Sequence, residues 1–327
     1  MTTQPQQSRP DELVFQQYRT LLFSVAYRIL GTAADAEDVV QDAWLKWSAA
    51  DRSKVADPKA YMTRIVSNLS MELLRSTRRQ RETYVGPWLP EPILTGSGSG
   101  SGLGLGLGSG AGSGTAVPDT ADGVMAADSV SMALLVVLET LSPLERAVFV
   151  LKEVFAFSYV EIAQAVERSE PAVRQAAHRA REHVQARRPR FTTDRARQRD
   201  VAERFFAAAT GGDINTLMEL LSPDVTLWTD GGGKVRQALK PVVGLETVAG
   251  WFAALGTATY QGVEPGQMRA ELTGINGGPG VVFRGPDRVI ATMTFDFDAE
   301  GRISAIHNVA NPDKLHAVAD GTRHELC

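Results

Sequence analysis

The sequence is poor in the groups that most often mark a compartment, a metal site or a membrane. Its single cysteine is Cys327, so no disulfide can form within the chain and no thiolate cluster can hold zinc; a cytoplasmic, reducing setting is expected. No stretch approaches the ~18 consecutive apolar residues of a membrane span, so no membrane partner is expected. Met1–Pro10 is polar and lacks the apolar core of a secretory leader. Nor is there an excess of basic charge: the formal net charge is -4, which argues against a simple nucleic-acid-coating protein. That average conceals an uneven distribution. Arginines crowd Arg75–Arg81 and Arg174–Arg199, whereas the stretch after Asp200 carries more acids than bases, a pattern of a nucleic-acid-facing front and a differently employed back.

At 327 residues the chain is long enough for two or three domains. Residues 11–83 read as helices with short breaks. Leu21, Leu22, Val25, Ala26, Ile29 and Leu30 recur at helical spacing and stop at Gly31. A second helix starts near Asp35, and Pro58 opens a third that ends in basic residues. Residues 84–127 read as a linker. Its first part, Gly86-Pro87-Trp88-Leu89-Pro90-Glu91-Pro92, is held extended by three prolines, and its second, Gly96–Gly114, is almost wholly Gly, Ser and Leu. Residues 128–190 form a second helical unit with two Ser-x-x-Glu capping boxes, at Ser142–Glu145 and Ser158–Glu161. Residues 198–316 change grammar, with helices followed by short alternating segments that read as antiparallel strands of an α+β domain. Residues 317–327 are a tail.

The strongest local motif is Phe157–His183. One helix, Tyr159–Val166, is separated by a short turn from another that opens near Ser169 and carries Pro171 in its first turn. This is helix-turn-helix spacing. On the second helix Arg174, Gln175 and His178 suit base edges, and Arg168, Arg179 and Arg181 suit phosphates. Taken alone, the same pattern also fits an ordinary helical hairpin with a solvated basic face.

The context narrows the reading. The stretch Asp35-Ala36-Glu37-Asp38-Val39-Val40-Gln41-Asp42-Ala43-Trp44-Leu45-Lys46-Trp47, followed by Asp57-Pro58-Lys59-Ala60-Tyr61-Met62, resembles the extracytoplasmic-function sigma factors of bacterial RNA polymerase. The resemblance implies that Asp38, Gln41, Asp42 and Trp44 dock on core RNA polymerase. It implies that Tyr61, Arg64, Asn68, Arg75 and Arg78 melt and read the minus-ten element of promoter DNA, and that the helix-turn-helix reads the minus-thirty-five element. Sites one and a half duplex turns apart lie roughly 55 Å from each other, and a flexible connection of ~40 residues could span them. Three further signatures, Tyr84–Pro92, Asp230-Gly231-Gly232-Gly233-Lys234 and Asn311-Pro312-Asp313-Lys314-Leu315, resemble the SigJ-type members, which carry a cone-shaped, SnoaL-like C-terminal domain. The Gly/Ser/Leu run departs from that pattern and looks like an insertion.

In such members the C-terminal domain is expected to contact the sigma modules. The regulatory contact is expected from Trp88, Pro90, Glu91, Asp230, Lys234, Asn311, Asp313, Lys314 and Leu315, with Glu91 as the charge partner of Lys314 and with an exposed Trp88. No catalytic residue, metal or cofactor is expected, although SnoaL-like folds elsewhere host proton transfer and Asp230, Asp296 and His307 are the groups that could serve it. The resemblance leaves room for a small unidentified ligand in the pocket of that domain. The alternatives are a one-component DNA-binding regulator and a SnoaL-like enzyme tethered to a DNA-binding module.

Overall fold

The computed structural model describes residues 10–96, 101–103, 130–187, 194–254 and 259–326. It divides into two compact units, one of residues 1–78, 137–186 and 325–327, the other of residues 79–136 and 187–324. Most of the Gly96–Gly114 run lies outside the described residues. Among the described residues no helix is long and apolar enough to cross a membrane, and no cluster of His, Cys, Asp or Glu could hold a metal ion.

The first unit is all helical. Helix α1 (Pro10–Leu30) buries Leu22, Val25, Ala26, Ile29 and Leu30 and stops at Gly31, whose φ of +79° is open to glycine at little cost. Helix α2 (Ala33–Ser48) buries Ala36, Val39, Val40, Ala43 and Trp47 against it. Helix α3 (Pro58–Glu82) begins with Pro at its first position, where the missing N–H is no loss. Helix α4 (Met132–Leu138), whose residues up to Val136 belong to the second unit, leads into α5 (Pro143–Phe149), which continues as one π-helical turn, Val150–Val154. Helices α6 (Tyr159–Ala165) and α7 (Glu170–Arg187) follow. Both expected capping boxes are formed in full, the serine side chain accepting from the N3 amide and the glutamate from the N-cap amide. The two helical modules are joined within this unit by a buried polar contact. The Arg146 guanidinium donates to the Arg28 carbonyl at 3.1 Å and pairs with Glu139 at 2.9 Å. A side chain at Gly31 would strike Glu139, a second reason for glycine there.

The second unit is α+β. Helices α8 (Arg195–Gly211), α9 (Ile214–Leu220) and α10 (Leu245–Ala253) pack on one face of a sheet ordered β1-β4-β5-β6-β7-β2-β3. Its strands are β1 (Ser101–Leu103), β2 (Leu221–Asp230), β3 (Val242–Val243), β4 (Arg269–Ile275), β5 (Gly278–Arg284), β6 (Val289–Phe297) and β7 (Ile303–Val309). The run from β4 to β7 is an antiparallel meander, as the alternation predicts. Asn276 and Gly277, with φ of +50° and +74°, make the tight turn between β4 and β5. The pairing of β2 with β7 is parallel, which alternation along a strand cannot reveal.

The Pro-rich segment is not a free linker. Leu89, Pro90, Glu91, Pro92, Ile93 and Leu94 are buried, and Leu89 and Leu94 share a core with Ile275, Val282, Val309, Leu315 and Met132. Prolines cannot extend a sheet ladder on their own, so the segment borrows its partners. Thr95 donates its amide to the Gly274 carbonyl at 2.9 Å, and Asn276 donates its amide to the Ile93 carbonyl at 3.0 Å. The tail is tied to the same strap, the His324 amide donating to the Leu94 carbonyl at 2.9 Å.

Candidate functional site

On α2 the burial of one face sets the other. Asp38, Gln41 and Asp42 are exposed and lie a helical turn apart on the open side, and Trp44 is half-buried edge-on to Phe15. Asp35, in the first turn, instead accepts from the Thr32 hydroxyl at 2.5 Å. Leu45, which the sequence reading passed over, is 57% exposed beside these acids. An apolar side chain on an acidic open face is the signal that would have found it.

On α3, Tyr61 packs against Trp47 with ring centroids 6.0 Å apart, and Arg75 is exposed. Arg64 and Asn68 converge on one residue of the other module. The Arg64 guanidinium pairs with Glu167 at 2.9 Å and the Asn68 amide donates to it at 3.4 Å. Glu167 is the turn residue of the helix-turn-helix and sits at φ +54°. It was not singled out from the sequence. Nothing is described of the Arg78 side chain.

The helix-turn-helix has the expected form. Val173, Ala176, Ala177 and Ala180 are buried toward the rest of the module, which leaves Arg174, Gln175, His178 and Arg179 exposed. Every arginine of the motif already has a partner. Arg174 pairs with Glu170 at 2.5 Å and lies over the Tyr159 ring, Arg179 pairs with Glu145 at 2.7 Å, and Arg181 pairs with Glu153 at 2.7 Å. Arg168 donates to the Glu167 carbonyl at 2.9 Å. Exposed pairs of this kind contribute only ~0–1 kcal/mol, so they brace the side chains without locking them.

In the second unit the three signatures meet around one buried carboxylate, Asp230, at 0% exposure. It accepts from the Tyr84 hydroxyl at 2.5 Å, the Leu89 amide at 2.9 Å, the Gly232 amide at 3.1 Å and the Lys314 ammonium at 2.7 Å. Lys314, buried as well, also donates to the Leu89 carbonyl at 2.6 Å and lies over the Trp88 ring. Asp230 thus supplies a charge opposite Lys314, and Trp88 is half-buried rather than exposed, with the Arg81 guanidinium on its ring as well. Burial, and then the bond to Asp230, push the Tyr84 phenol far above its ordinary pKa, so it remains a donor. Asn311 donates its side-chain amide to Tyr84 at 2.7 Å. Lys234 pairs with Asp313 at 2.6 Å on the exposed rim. The glycine run is required by contact: a side chain on Gly232 would land on Asn311, and one on Gly233 would meet Val85 at 3.1 Å. Leu315 is buried against the strap, and Pro90 is buried within it. Tyr84 and the Leu89 backbone, central here, stood inside a quoted motif, but only the fold reveals that they bind a carboxylate.

The groups that could move a proton are placed elsewhere than the domain's apolar cavity. That cavity, of about 260 Å³, is lined by residues such as Phe206, Phe252 and Met293, and its lining does not include Asp230, Asp296 or His307. All of Asp230's bonds above go to structural partners. His307 is buried, and its Nδ1 stands 3.8 Å from Asp296. Burial pushes its pKa below 6.5, against a weaker upward pull from Asp296. Between the folded and unfolded pKa values the unfolded chain holds more protons, so this contribution to stability is whole above about pH 6.5 and is lost as the pH falls. Melting temperature is expected to drop between about pH 7.5 and 5.5, and to drop less in His307→Gln. An equal drop in both proteins would remove His307 as the cause.

Two family models match the chain: sigma-70 region 2 over residues 14–80 and sigma-70 region 4 over residues 131–184. Among curated proteins the chain is 37% identical over 314 residues to the extracytoplasmic-function RNA polymerase sigma factor SigJ of Mycobacterium tuberculosis, covering 92% of each chain. It is 28% identical over 278 residues to SigG of the same organism, covering 80% of this chain and 70% of that one. Among solved structures it is similar to the crystal structure of M. tuberculosis SigJ, with a TM-score of 0.68 and 35% identity over 93% of this chain and 97% of the other.

Proposed function

The chain belongs to the extracytoplasmic-function sigma factors, which direct transcription initiation, and on that premise we propose which of its residues act and how its fused domain enters. Core RNA polymerase is bound by the open face of α2, through Asp38, Gln41, Asp42 and Trp44, with Leu45 as the apolar centre. The minus-ten element is read by Tyr61, Arg64, Asn68, Arg75 and Arg78, and the minus-thirty-five element by the exposed face of α7. Reading two elements roughly 55 Å apart requires the modules to part, and the Arg64–Glu167 pair is then the cheap contact to lose, being solvent-exposed on both sides.

The C-terminal domain acts as a resident regulator, with no chemistry of its own. The observation that carries this is the four-partner Asp230 site, where the domain grips the segment that follows the minus-ten helix directly. Run-off transcription with purified core polymerase tests it. Trp88→Ala and Leu315→Ala are each expected to change promoter output in the same direction, with the double variant close to either single. Fully additive effects would sink the shared contact, and output unmoved by both would leave the domain a passenger.

For the DNA face, Arg174→Ala is expected to weaken promoter binding by about 1–3 kcal/mol and to relax preference at one base position. Arg181→Ala, half-buried against Glu153 at the side of the module, is expected to weaken all sequences evenly and to flatten the salt dependence. Binding measured across single-base promoter variants separates the two. Uniform weakening by both changes would make Arg174 a phosphate contact.

A further inference from the structure

A second cavity of the sheet domain, of about 330 Å³, opens where β2 and β7 end and β6 begins. It shares no lining residue with the apolar cavity described above. Its base is apolar and buried, formed by Val289, Ile290, Ala310 and Leu315, and its mouth carries three exposed cations, Lys234, Arg236 and Arg288. Among the described residues no carboxylate lines it. Lys234 has Asp313 at 2.6 Å and Arg288 has Asp287 at 3.2 Å, whereas Arg236 has no acidic partner among the described residues. One positive charge is thus left uncompensated beside an apolar hollow. On an ordinary solvated face the cations sway in water, but here Arg288 is tied down. Gln261, at φ +51°, is the first residue of a two-residue turn between Tyr260 and Val263, and its carbonyl accepts from the Arg288 guanidinium at 3.0 Å. Its side-chain amide donates to the Ile290 carbonyl at 2.8 Å, so the turn is clamped to β6 and the guanidinium is held at the mouth.

We propose that this cavity binds a small organic monoanion, a carboxylate on a compact apolar body. The carboxylate sits between Arg236 and Arg288, whose planar forks match its two oxygens, and the body covers the apolar base. A single negative charge follows from the one uncompensated cation. Size follows from volume: a cavity of about 150 Å³ takes one benzene ring, so one of about 330 Å³ takes two fused rings with their carboxylate. Promoter DNA fits less well, because the charged backbone of a duplex has no apolar group to bury on that base. The cavity also touches the regulatory contact. Leu315 shares an apolar cluster with Leu89 and Leu94 of the strap. Asp313, the partner of Lys234, is the neighbour of Lys314, which holds the Leu89 carbonyl. An anion that draws Lys234 away from Asp313 therefore acts on the turn that grips the strap. That effect on promoter output rests on the regulatory reading above, whereas binding does not.

The test is calorimetric titration of the full-length chain with three probes: 2-naphthoate, 2-naphthalenemethanol and inorganic phosphate. The first is expected to bind saturably, one per chain, at least about tenfold more tightly than the other two, because only it has both the anionic head and the apolar body. Raising the salt should weaken it. Arg236→Gln and Arg288→Gln are each expected to weaken 2-naphthoate by about five- to tenfold and to leave the alcohol unmoved. Arg269→Gln, which removes an exposed cation outside the cavity, should change nothing. All three arginines are exposed, so the variants should fold, and melting of each checks that they do. Equal binding of 2-naphthoate and the alcohol, no saturable binding, or an affinity unmoved by both cavity variants would overturn the site. If Arg236→Gln spared the probe yet weakened promoter binding evenly across sequences, the cations would be phosphate contacts instead. Saturating 2-naphthoate is further expected to shift run-off output of the parent chain and not of Arg236→Gln. Normal binding without that shift would overturn only the coupling, leaving the site and the regulatory reading in place.

Discussion

Replacing Lys314 by methionine is expected to destabilise the sheet domain by about 3–5 kcal/mol. The methionine keeps most of the volume and removes the charge, which leaves the Asp230 carboxylate buried at 0% exposure without its cation. Three neutral donors remain on it, from Tyr84, Leu89 and Gly232, but they do not neutralise a charge out of water. Denaturant unfolding followed by circular dichroism measures the loss. The change should also free the strap, because Lys314 holds the Leu89 carbonyl at 2.6 Å and sits on the Trp88 ring; proteolysis after Tyr84 is a direct readout. Asp230→Asn alone strands the ammonium and should cost a similar amount. The double variant should cost clearly less than the two singles added, since the pair then leaves together. Strict additivity would mean that the two groups are held by other neighbours and that the strap is closed by apolar packing alone.

Reversing Asp38 and Asp42 to lysine is expected to abolish co-purification with core RNA polymerase, a loss of at least about a hundredfold in affinity, given 2–5 kcal/mol for a buried interfacial charge pair. Both residues are exposed on α2 and face away from its buried side, so helicity and melting should barely change. Leu45→Ala should weaken the same contact while leaving the charges in place, as a central apolar anchor does. Undiminished capture of polymerase by the reversed variant would move the interface off this helix and revive a DNA-binding regulator that acts without polymerase.

Much of the architecture is legible because it rests on local rules. The stop at Gly31, the proline starts at Pro58 and Pro143 and the two serine–glutamate boxes are decided within a few residues, and each is where the spacing puts it. The recognition helix is legible for the same reason: Val173, Ala176, Ala177 and Ala180 mark the buried side, so the arginines must face out. What escapes is everything that depends on residues far apart in sequence. Glu167 meets Arg64 across 103 positions and Tyr84 meets Asp230 across 146, and neither separation leaves a periodic trace. Glu91 is the nearest acid to Trp88 along the chain and so the natural guess for Lys314. Asp230 is not suggested by any local spacing; it meets Lys314 because β2 and β7 run in parallel, so that Asp230 at the end of β2 lies beside the segment that follows β7. The meeting of Gln237 and Asn308 at the Tyr260 hydroxyl was equally invisible for that reason.

The Gly/Ser/Leu run is flanked by contacts to one domain: Leu94 and Met132 share an apolar cluster, Thr95 bonds to Gly274, and Ser101–Leu103 pairs with β4. A stretch that starts and finishes on a single body does not set the reach between promoter elements, and lengthening it costs little, only about 0.6 kcal/mol for each doubling of a loop. The position is therefore a tolerant one for insertions. Related chains can differ widely in length here while keeping the same promoter spacing, and a fluorescent or affinity module placed between Leu103 and Val130 should leave initiation intact.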